Sequence, residues 1–476
     1  MLDLTPSQVA EALGVSVTPG TATEDLPSHI TTVVTDSRDV TRGSLFIAIE
    51  GERVDGHDFL AAAFDSGAAA AIVTREVSSL AGPSIVVDDA VAALGKLAAT
   101  HLQRLRAANP DLKVVAVTGS VGKTTTKDLL GQVLAPLGDV ITPPASFNNE
   151  IGMPMTVLRA DAATRVLVLE MGADGPGNLT YLTGIAPPDI AVVLIVVGAH
   201  LQGFGTVAGV AKAKEEILHG LAPGGIGVLN ADNGLVAAMA EALEEGSVRR
   251  FGESERADFR ASEVRTDEEG RVHFVLNEAG ERTEVHLGLI GEHNLTNALA
   301  AASVARLLGI PTGEVARALG EAAPVSGHRM HVVDVGGIRV IDDAYNANPT
   351  SMRAALKTLA DMADRTGRRS VAVLGEMLEL GPDSILEHDA IGRLVVRLNI
   401  DKLLTVGDGT RALHSGAYQE GSWGEEAAHV DSLAEAREWL AGELGQGDIV
   451  LLKSSNGAGL ARLADDLIAD LEGAAK

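Results

Sequence analysis

The run Thr118–Thr126, with the sequence TGSVGKTTT, has residue types and spacing that suit phosphate binding. The backbone N–H groups of a glycine turn at the start of a helix can hold phosphate oxygens, because these donors have no partner within the helix. Lys123 would add a positive charge, and the hydroxyl of Thr124 would bind Mg2+. The standard pattern GxxxxGK[ST] has glycine at position 117, where this chain has valine. An ordinary helix start with an exposed lysine is the competing interpretation.

The chain on both sides of this run predicts the strand and the helix that a phosphate loop requires. Lys113–Val117 is dominated by β-branched valine, as in a buried strand. Between Lys123 and Leu134, apolar residues recur on one face of a helix. They are Leu129, Leu130, Val133 and Leu134. Because strand, glycine turn and helix follow in this order, we expect nucleotide binding, with ATP as the nucleotide.

Apolar runs that end in polar residues or glycine continue after the phosphate loop. They predict strands at Val166–Leu169, Ile190–Val197 and Gly227–Leu229, separated by helical stretches. This alternation is typical of a doubly wound, mostly parallel sheet, which binds ligands at the carboxyl ends of its strands. Residues 260–289 break the rhythm and predict a small antiparallel excursion.

A second block of the same kind follows Pro324. Its strands are predicted at Arg339–Ile341, Val371–Leu374, Leu403–Val406 and Ile449–Leu452. With 476 residues, the chain is longer than one hydrophobic core usually supports. We therefore expect an α/β fold of three domains. These are a smaller N-terminal α/β domain (1–88), a central domain with the phosphate loop (89–323) and a C-terminal Rossmann-like domain (324–476).

The net charge of −27, from 38 basic and 65 acidic residues, makes nucleic acid and anionic membranes poor partners for this chain. No apolar run reaches the ~20 residues that a membrane span needs, and no basic and apolar signal region is visible at the start. The absence of cysteine excludes disulfides and a thiolate nucleophile. We expect a cytoplasmic protein that binds neither nucleic acid nor membrane.

Two predicted strands lead into residues that could hold a metal ion. Glu170 follows Val166–Leu169, and a carboxylate beside a phosphate loop is where Mg2+ is commonly held. A solvated glutamate at a strand end is an equally good interpretation. His200 follows the run Ile190–Val197, and a single histidine there is more often a hydrogen-bonded structural residue than a ligand.

Lys214 falls on the apolar face of a helix predicted over 207–219, whereas Lys212 points outward. That face comprises Val207, Val210, Ile217 and Leu218. Burial lowers the pKa of a lysine because it disfavours the charged form. A neutral amine beside Mg2+ would have a chemical use, although a lysine that extends its ammonium group back to water is the commoner outcome.

Three polar clusters could contribute further ligands. Asn294 opens a predicted helix and could simply cap it, while Asn297, one turn on, could reach a base or a phosphate. Arg329 lies in a turn near the predicted boundary of the last domain. The segment 342–349, DDAYNANP, contains more hydrogen-bonding side chains than a helix cap requires.

Seven segments follow one another in the order found in the Mur ligases, and the chain resembles this family from about residue 36 to 456. They are TGSVGKTTTK (118–127), NNEIGMP (148–154), EMG (170–172), AHLQGFG (199–205), AKAKEEI (211–217), GEHNLTNALAA (291–301) and DDAYNANP (342–349). The Mur ligases are ATP-dependent amide ligases of cell-wall precursor synthesis. The shortened phosphate loop is the family's own form, so the valine at 117 agrees with the resemblance.

The resemblance implies two Mg2+ sites and a modified lysine. Thr124 would hold one Mg2+, and Glu170 and His200 would hold the second. Lys214 would be carbamylated by CO2 and would place an anionic group near that second metal. The residues implied to contact ATP are Gly119, Ser120, Val121, Gly122, Lys123, Thr124, Thr125, Asn294, Asn297, Arg329 and Asp343.

The resemblance also implies the substrates. The versions DDAYNANP and AHLQGFG are similar to those of the ligases that join D-alanyl-D-alanine to UDP-N-acetylmuramoyl-tripeptide. The N-terminal domain would bind the UDP end of that substrate, the C-terminal domain would bind the dipeptide, and the protein would be a monomer. The implied substrate-binding residues are Ser37, Arg38, Asn148, Asn149, Thr156, Asn346, Asn348 and Lys453.

Three positions depart from the family pattern. The chain has Gln202 where glutamate is frequent, Glu376 where aspartate is frequent, and Lys453–Asn456 (KSSN) where a KGSR-like run is usual. Because the arginine of that run is missing, we expect Lys453 to bind more of the dipeptide's terminal carboxylate. The DNPR-type motif of the sibling ligase that adds a diamino acid is absent.

Other functions are compatible with parts of this pattern. The sibling ligase would differ only in its substrate, and a folylpolyglutamate synthetase-like ligase would lack the full N-terminal domain. A nucleotide-gated binding protein would keep the fold without ligase activity. A kinase-type phosphotransferase would release a stable phosphorylated product without requiring an amine.

Overall fold

The computed structural model describes residues 3–21, 26–51, 53–198, 204–421 and 425–474. Its α-helices are α1 Pro6–Leu13, α2 Leu60–Asp65, α3 Ala90–Ala108, α4 Lys123–Val133, α5 Gly152–Val157, α6 Asn178–Ile185, α7 Val207–His219, α8 Gly234–Ala238, α9 Asn294–Leu307, α10 Thr312–Glu321, α11 Pro349–Thr366, α12 Ser384–Arg397, α13 Arg411–Glu420, α14 Leu433–Glu443 and α15 Leu460–Ala474.

Its strands alternate with these helices along most of the chain. They are β1 Val17–Thr18, β2 Thr32–Val34, β3 Ser44–Ile47, β4 Ala70–Val73, β5 Ser84–Val86, β6 Lys113–Thr118, β7 Asp139–Ile141, β8 Thr164–Glu170, β9 Ile190–Val193, β10 Ile226–Asn230, β11 Val248–Gly252, β12 Phe259–Thr266, β13 Arg271–Glu278, β14 Glu281–Ile290, β15 His331–Val335, β16 Ile338–Asp342, β17 Ser370–Leu374, β18 Lys402–Val406, β19 Ala427–Val430 and β20 Ile449–Lys453.

Within the described ranges, the strands form three mostly parallel sheets, which confirms the predicted α/β fold class. The first sheet has the order β1-β5-β4-β3-β2, and only β1 runs antiparallel to its neighbour. The central sheet has the order β14-β13-β12-β11-β10-β9-β6-β8-β7, and β12, β13 and β14 pair antiparallel. The third has the order β15-β16-β20-β17-β18-β19, with only β15 antiparallel. The antiparallel excursion expected over 260–289 therefore extends the central sheet.

The central sheet is covered by helices on both faces, as its sequence pattern predicts. Side chains of β6 alternate between two apolar clusters, because successive residues of a strand point to opposite faces. Val114 and Ala116 join the cluster that contains α3, α5, α6 and α7, whereas Val115 and Val117 join the cluster that contains α4, α9 and α10. Burial on both faces explains why β6 reads as a continuous apolar run.

The strand predicted over Ile190–Val197 is wrong at its end, because β9 stops at Val193. Val193 pairs with Thr118, the last residue of β6. Beyond this pair, β6 has no further residues with which β9 could form a strand pairing. The chain beyond β9 follows the phosphate loop instead. The N–H of Ser120 donates to the carbonyl of Ile195 at 2.7 Å, and its hydroxyl donates to the carbonyl of Val197 at 3.1 Å. These two hydrogen bonds hold one side of the phosphate loop in place.

The boundaries predicted at residues 88 and 323 fall between the sheets, and they stay predictions. One apolar cluster contains β3, α3 and β6, so the first sheet and the central sheet share packing through α3. Among the described helices, none is both long enough and apolar enough to cross a membrane.

Candidate functional site

A cavity of about 770 Å³ opens at the carboxyl ends of β6 and β8. This is the edge of a parallel sheet at which ligands bind. Its walls come from the central sheet and from the C-terminal sheet. The predicted site residues on these walls are Ser120, Val121, Gly122, Lys123, Thr124, Thr125, Asn148, Asn149, Glu170, Lys214, Asn294, Asn297, Arg329, Asp343, Asn346, Asn348 and Lys453.

The phosphate loop has the backbone geometry expected of it. Gly122 has a left-handed φ of 85°, and a Cβ there would lie 2.3 Å from Oδ1 of Asn297, so no larger residue fits. The ammonium group of Lys123 is folded back and donates to the carbonyl of Gly119 at 2.9 Å. Burial lowers the pKa of Lys123, which the negative charge of Glu170 opposes. Bound phosphate would replace the Gly119 carbonyl as the partner of this lysine.

Three side chains form a hydrogen-bonded chain across the cavity from Thr124 to Arg329. The hydroxyl groups of Thr124 and Ser146 are 3.0 Å apart, and Nη2 of Arg329 donates to Oγ of Ser146 at 3.0 Å. The guanidinium group of Arg329 lies 4.2 Å from the ring centre of Tyr345, and its Nε is buried with no hydrogen-bond partner in the part of the chain that the structure describes. An unused donor in this position can bind an anionic ligand. Sequence reasoning missed Ser146, because its surrounding residues carry no periodic signal.

Glu170 brings a buried carboxylate to the end of β8. Its side chain is only 1% exposed, and Oε1 accepts a hydrogen bond from Asn148 at 2.8 Å. Oε2 is buried with no hydrogen-bond partner among the described residues. A buried carboxylate oxygen without a donor is costly, so this atom fits a cation such as Mg2+. The prediction of a solvated glutamate at this strand end is wrong. His200 and Gln202 lie outside the described residues.

Lys214 points inward from α7, as the helical pattern predicts, and is 3% exposed, while Lys212 is exposed. Its ammonium group lies 6.0 Å from the ring centre of Phe204. Burial, together with the nearby positive charge of Lys123, lowers the pKa of Lys214 to about 7, although the charge of Asp174 opposes this shift. The neutral amine that results is the form that reacts with CO2, so the residue fits a carbamate. Val207, predicted on the apolar face, is 38% exposed because it begins the helix.

The buried charge of Lys214 predicts a pH-dependent cost in stability. Below pH 7 the folded protein must bury an ammonium ion, whereas above pH 10.5 the amine is neutral in both the folded and the unfolded state. In Mg2+-free, CO2-free buffer we therefore expect Lys214→Met to unfold at a higher temperature than the wild type. The difference should be largest at pH 7 or below and shrink as the pH rises towards 10. Thermal unfolding at several pH values checks this, and a difference that grows with pH would contradict it.

Asn294 and Asn297 tie α9 to the phosphate-loop helix instead of capping α9. Nδ2 of Asn294 donates to the carbonyl of Ile290 at 2.7 Å, and Oδ1 accepts from Asn297 at 2.8 Å. Oδ1 of Asn297 accepts from the hydroxyl of Thr126 at 3.2 Å. The capping interpretation of Asn294 is wrong, since no side chain caps this helix. His293 also lines the cavity, and its Nδ1 is buried with no hydrogen-bond partner among the residues that the structure covers. Sequence reasoning missed this residue, although the GEHN segment contains it.

Lys453 is held by the loop that follows β16. Its ammonium group donates to Oδ2 of Asp343 at 2.6 Å, to the carbonyl of Asn346 at 2.9 Å and to the carbonyl of Asp343 at 3.4 Å. A lysine has three donors, and all are used here. Lys453 therefore fixes the wall that carries Asp343, and little capacity is left for the carboxylate role expected of it. Asn348 caps α11 by accepting from the N–H of Ser351 at 2.9 Å.

Four predicted substrate residues make hydrogen bonds or ion pairs within the protein or lie outside the cavity, and their roles in substrate binding stay predictions. Asn149 lies on the cavity wall, and its Oδ1 accepts from the N–H of Gly152, the first residue of α5, at 2.9 Å. Thr156 is fully buried inside α5, where its hydroxyl donates to the carbonyl of Gly152 at 3.1 Å. Ser37 and Arg38 follow β2 in the first sheet, away from the cavity walls, and Arg38 pairs with Asp36 at 2.5 Å. A substrate that contacted both Arg38 and the cavity residues would have to extend from the first domain into the cavity.

Three family models match the chain. They are described as "Mur ligase family, catalytic domain" (residues 29–102), "Mur ligase middle domain" (117–305) and "Mur ligase, glutamate ligase domain" (328–456). Two curated relatives named UDP-N-acetylmuramoyl-tripeptide--D-alanyl-D-alanine ligase are similar over nearly their full length. The one from Mycobacterium tuberculosis (strain ATCC 25618 / H37Rv) is 45% identical, covering 99% of this chain and 98% of the relative. The one from Escherichia coli (strain K12) is 34% identical, covering 97% of each.

Solved structures are similar over the same extent. MurF from Acinetobacter baumannii has a TM-score of 0.86 at 31% identity, covering 98% of this chain and 99% of that chain. MurF ligase from Thermotoga maritima in complex with ADP has a TM-score of 0.78 at 28% identity, covering 93% and 98%. The similarity therefore includes all three sheets and both sides of the cavity.

Proposed function

Because the chain belongs to the Mur ligase family, we propose that it is an ATP-dependent ligase that joins D-alanyl-D-alanine to UDP-N-acetylmuramoyl-tripeptide. The products besides the peptide would be ADP and phosphate. The curated relatives with this activity in their names support the substrate assignment, and the relative in complex with ADP supports the use of ATP.

One observation in the cavity carries the proposal. Glu170 and Lys214 are buried close to the phosphate loop, and Oε2 of Glu170 has no described partner. Burying these groups costs stability, which a protein that only bound nucleotide would not require. The arrangement supports a catalytic role over the nucleotide-gated binding protein.

The reaction has to bring two anions together. The carboxylate at the end of the tripeptide attacks the γ-phosphorus of ATP, which gives an acyl phosphate and ADP. The amine of D-alanyl-D-alanine then attacks the acyl carbon, loses a proton, and phosphate leaves. Charge neutralisation is therefore the main requirement, and Lys123 and Arg329 are two cationic side chains that line the cavity.

Mg2+ would supply further positive charge, held by Thr124 at one site and by Glu170, His200 and carbamylated Lys214 at a second. Oε2 of Glu170 has no hydrogen-bond partner among the described residues, so it can bind a cation, and Asn148 fixes the orientation of the carboxylate through the 2.8 Å hydrogen bond. The proposal includes a cytoplasmic monomer, with the UDP end of the substrate bound near Arg38 and the dipeptide bound by the C-terminal domain.

The test is phosphate release from ATP in the presence of UDP-N-acetylmuramoyl-tripeptide, with and without D-alanyl-D-alanine, and the product mass. We expect release that depends on the dipeptide and a product heavier by one dipeptide residue. Release with a diamino acid and the shorter UDP-linked dipeptide would assign the sibling activity instead. A phosphorylated product that forms without any amine would indicate a phosphotransferase. The absence of phosphate release with both pairs of substrates would contradict ligase activity.

A further inference from the structure

The linker between α10 and β15 is held by two different parts of the molecule. Its first half is bound to α4: Gln132 exchanges two hydrogen bonds of 3.0 Å with the backbone of Ala323. The N–H of Ser326 donates to Oδ2 of Asp128 at 3.1 Å, and its hydroxyl accepts from Lys127 at 3.2 Å. The linker up to Ser326 is thus attached to the helix that begins at the phosphate loop.

The second half of the linker is bound to the C-terminal sheet. Nδ1 of His328 lies 2.6 Å from Oδ2 of Asp342, and the carbonyl of His328 accepts from the N–H of Tyr345 at 3.0 Å. The N–H of Met330 donates to Oδ1 of Asp343 at 3.1 Å. The attachment therefore changes from the phosphate-loop helix to the C-terminal sheet at Gly327, where a Cβ would meet no atom of the described residues within 4 Å.

Lys127 and Asp128 are the central pair of the first attachment. Lys127 is 1% exposed, and its ammonium group contacts Oδ1 of Asp128 at 2.5 Å and the carbonyl of Pro143 at 2.8 Å, besides Ser326. A buried ion pair gains little net stability compared with apolar side chains of similar volume, because both charges lose their hydration. Its directional bonds, however, fix three backbone segments relative to one another.

These segments carry Thr124, Ser146 and Arg329, the three side chains that are hydrogen-bonded to one another across the cavity. Pro143 lies three residues before Ser146, and Ser326 lies three residues before Arg329. Ser146 contacts both Thr124 and Arg329, each at 3.0 Å. Lys127 and Thr124 are on the same helix. A shift of either attached segment would therefore separate Arg329 from Thr124.

We propose that Lys127 and Asp128 are positioning residues that attach the interdomain linker to the phosphate-loop helix and so place Arg329 in the nucleotide cavity. Neither side chain needs to touch substrate in this role. The consequence for turnover rests on the proposed function, whereas the consequence for the linker does not.

The first test is Lys127→Met, which keeps the length of the side chain and removes its charge. A displacement of about 1 Å at a reacting group can cost up to a hundredfold, so we expect kcat/KM for ATP to fall at least about tenfold. KM for the UDP substrate should stay within about twofold of the wild type. Lys96→Met is the matched control, because Lys96 donates to the carbonyl of Leu13, far from this linker. Wild-type values for folded Lys127→Met would overturn the proposal.

A double-mutant cycle with Asp128→Asn tests whether the two residues act together. If they form one attachment, the double variant should lose no more than the worse single variant, whereas independent residues would give multiplied losses. Multiplied losses would overturn the paired role. Ser326→Ala removes only the hydroxyl that accepts from Lys127, so it should fold normally and show a smaller loss in the same direction. No loss in this folded variant would also count against the proposal.

Trypsin provides a measurement that does not depend on ligase activity. The bond after Arg329 is a tryptic site in a half-buried segment. In Lys127→Met the linker should open more often, and the fragment that begins at Met330 should appear about tenfold faster than in the wild type or in Lys96→Met. If Lys127→Met were cleaved after Arg329 at the wild-type rate, the proposed attachment of the linker would be overturned, whatever the activity of the enzyme. If the wild type showed no dipeptide-dependent phosphate release, the proposed function would fail. The cleavage rate would still show whether Lys127 attaches the linker to α4.

Discussion

Lys214→Met is expected to lower kcat by about a thousandfold or more, with the affinity for the UDP substrate changed by less than about threefold. The residue is buried in the cavity that Glu170 and the phosphate loop also line. A carbamate on its amine would complete a metal site there, and methionine cannot form one. Initial rates of dipeptide-dependent phosphate release, together with calorimetric binding of the UDP substrate, measure both quantities.

Lys212→Met is the matched control for this variant, since Lys212 lies on the exposed side of the same helix. It should keep nearly the wild-type rate. Adding a short carboxylate such as acetate should restore part of the activity of a Lys214→Ala variant, because the cavity left by the side chain could admit an anion. Near-normal turnover in Lys214→Met would remove the catalytic role from this residue.

Lys123→Met is expected to weaken ADP binding by about a hundredfold and to lower kcat by about a thousandfold. The ammonium group of Lys123 is the positive charge of the phosphate loop, and its present partner is the Gly119 carbonyl, which a phosphate oxygen can replace. Isothermal titration calorimetry with ADP in the presence of Mg2+ measures the ADP affinity, and the rate of phosphate release measures kcat.

The control is Lys113→Met, at the exposed start of β6, the strand that ends in the same loop. This variant should bind ADP as the wild type does. Circular dichroism and thermal unfolding should show that both variants are folded before their affinities are compared. An ADP affinity for Lys123→Met equal to that of Lys113→Met would show that the lysine does not bind phosphate.

The sequence by itself determined the elements whose signals are local. Strand β6, the glycine turn and α4 were all predicted, because β-branched runs, glycine and helical periodicity each act within a few residues. The inward direction of Lys214 follows from the 3.6-residue period alone, and the structure agrees. The family was predicted from the order of seven segments and is confirmed by the matches over nearly the whole chain.

Local patterns failed where a residue's environment depends on distant neighbours. The run 190–197 has the composition of one strand, but the end of β6 decides where its ladder stops. Glu170 could have been solvated or buried, and only the packing around β8 makes it 1% exposed.

Only the tertiary structure decided which side chains meet in the cavity. Arg329 contacts Ser146, 183 residues away, and Lys453 uses its donors on Asp343, 110 residues away, so it is less available to the dipeptide than its sequence motif suggests. Hydrogen bonds of this kind join segments that are far apart in the sequence, and their partners have no fixed spacing along the chain. Spacing therefore predicted the phosphate loop and the buried lysine, whereas the two walls of the cavity, and the attachment that holds them in register, became visible only in the folded chain.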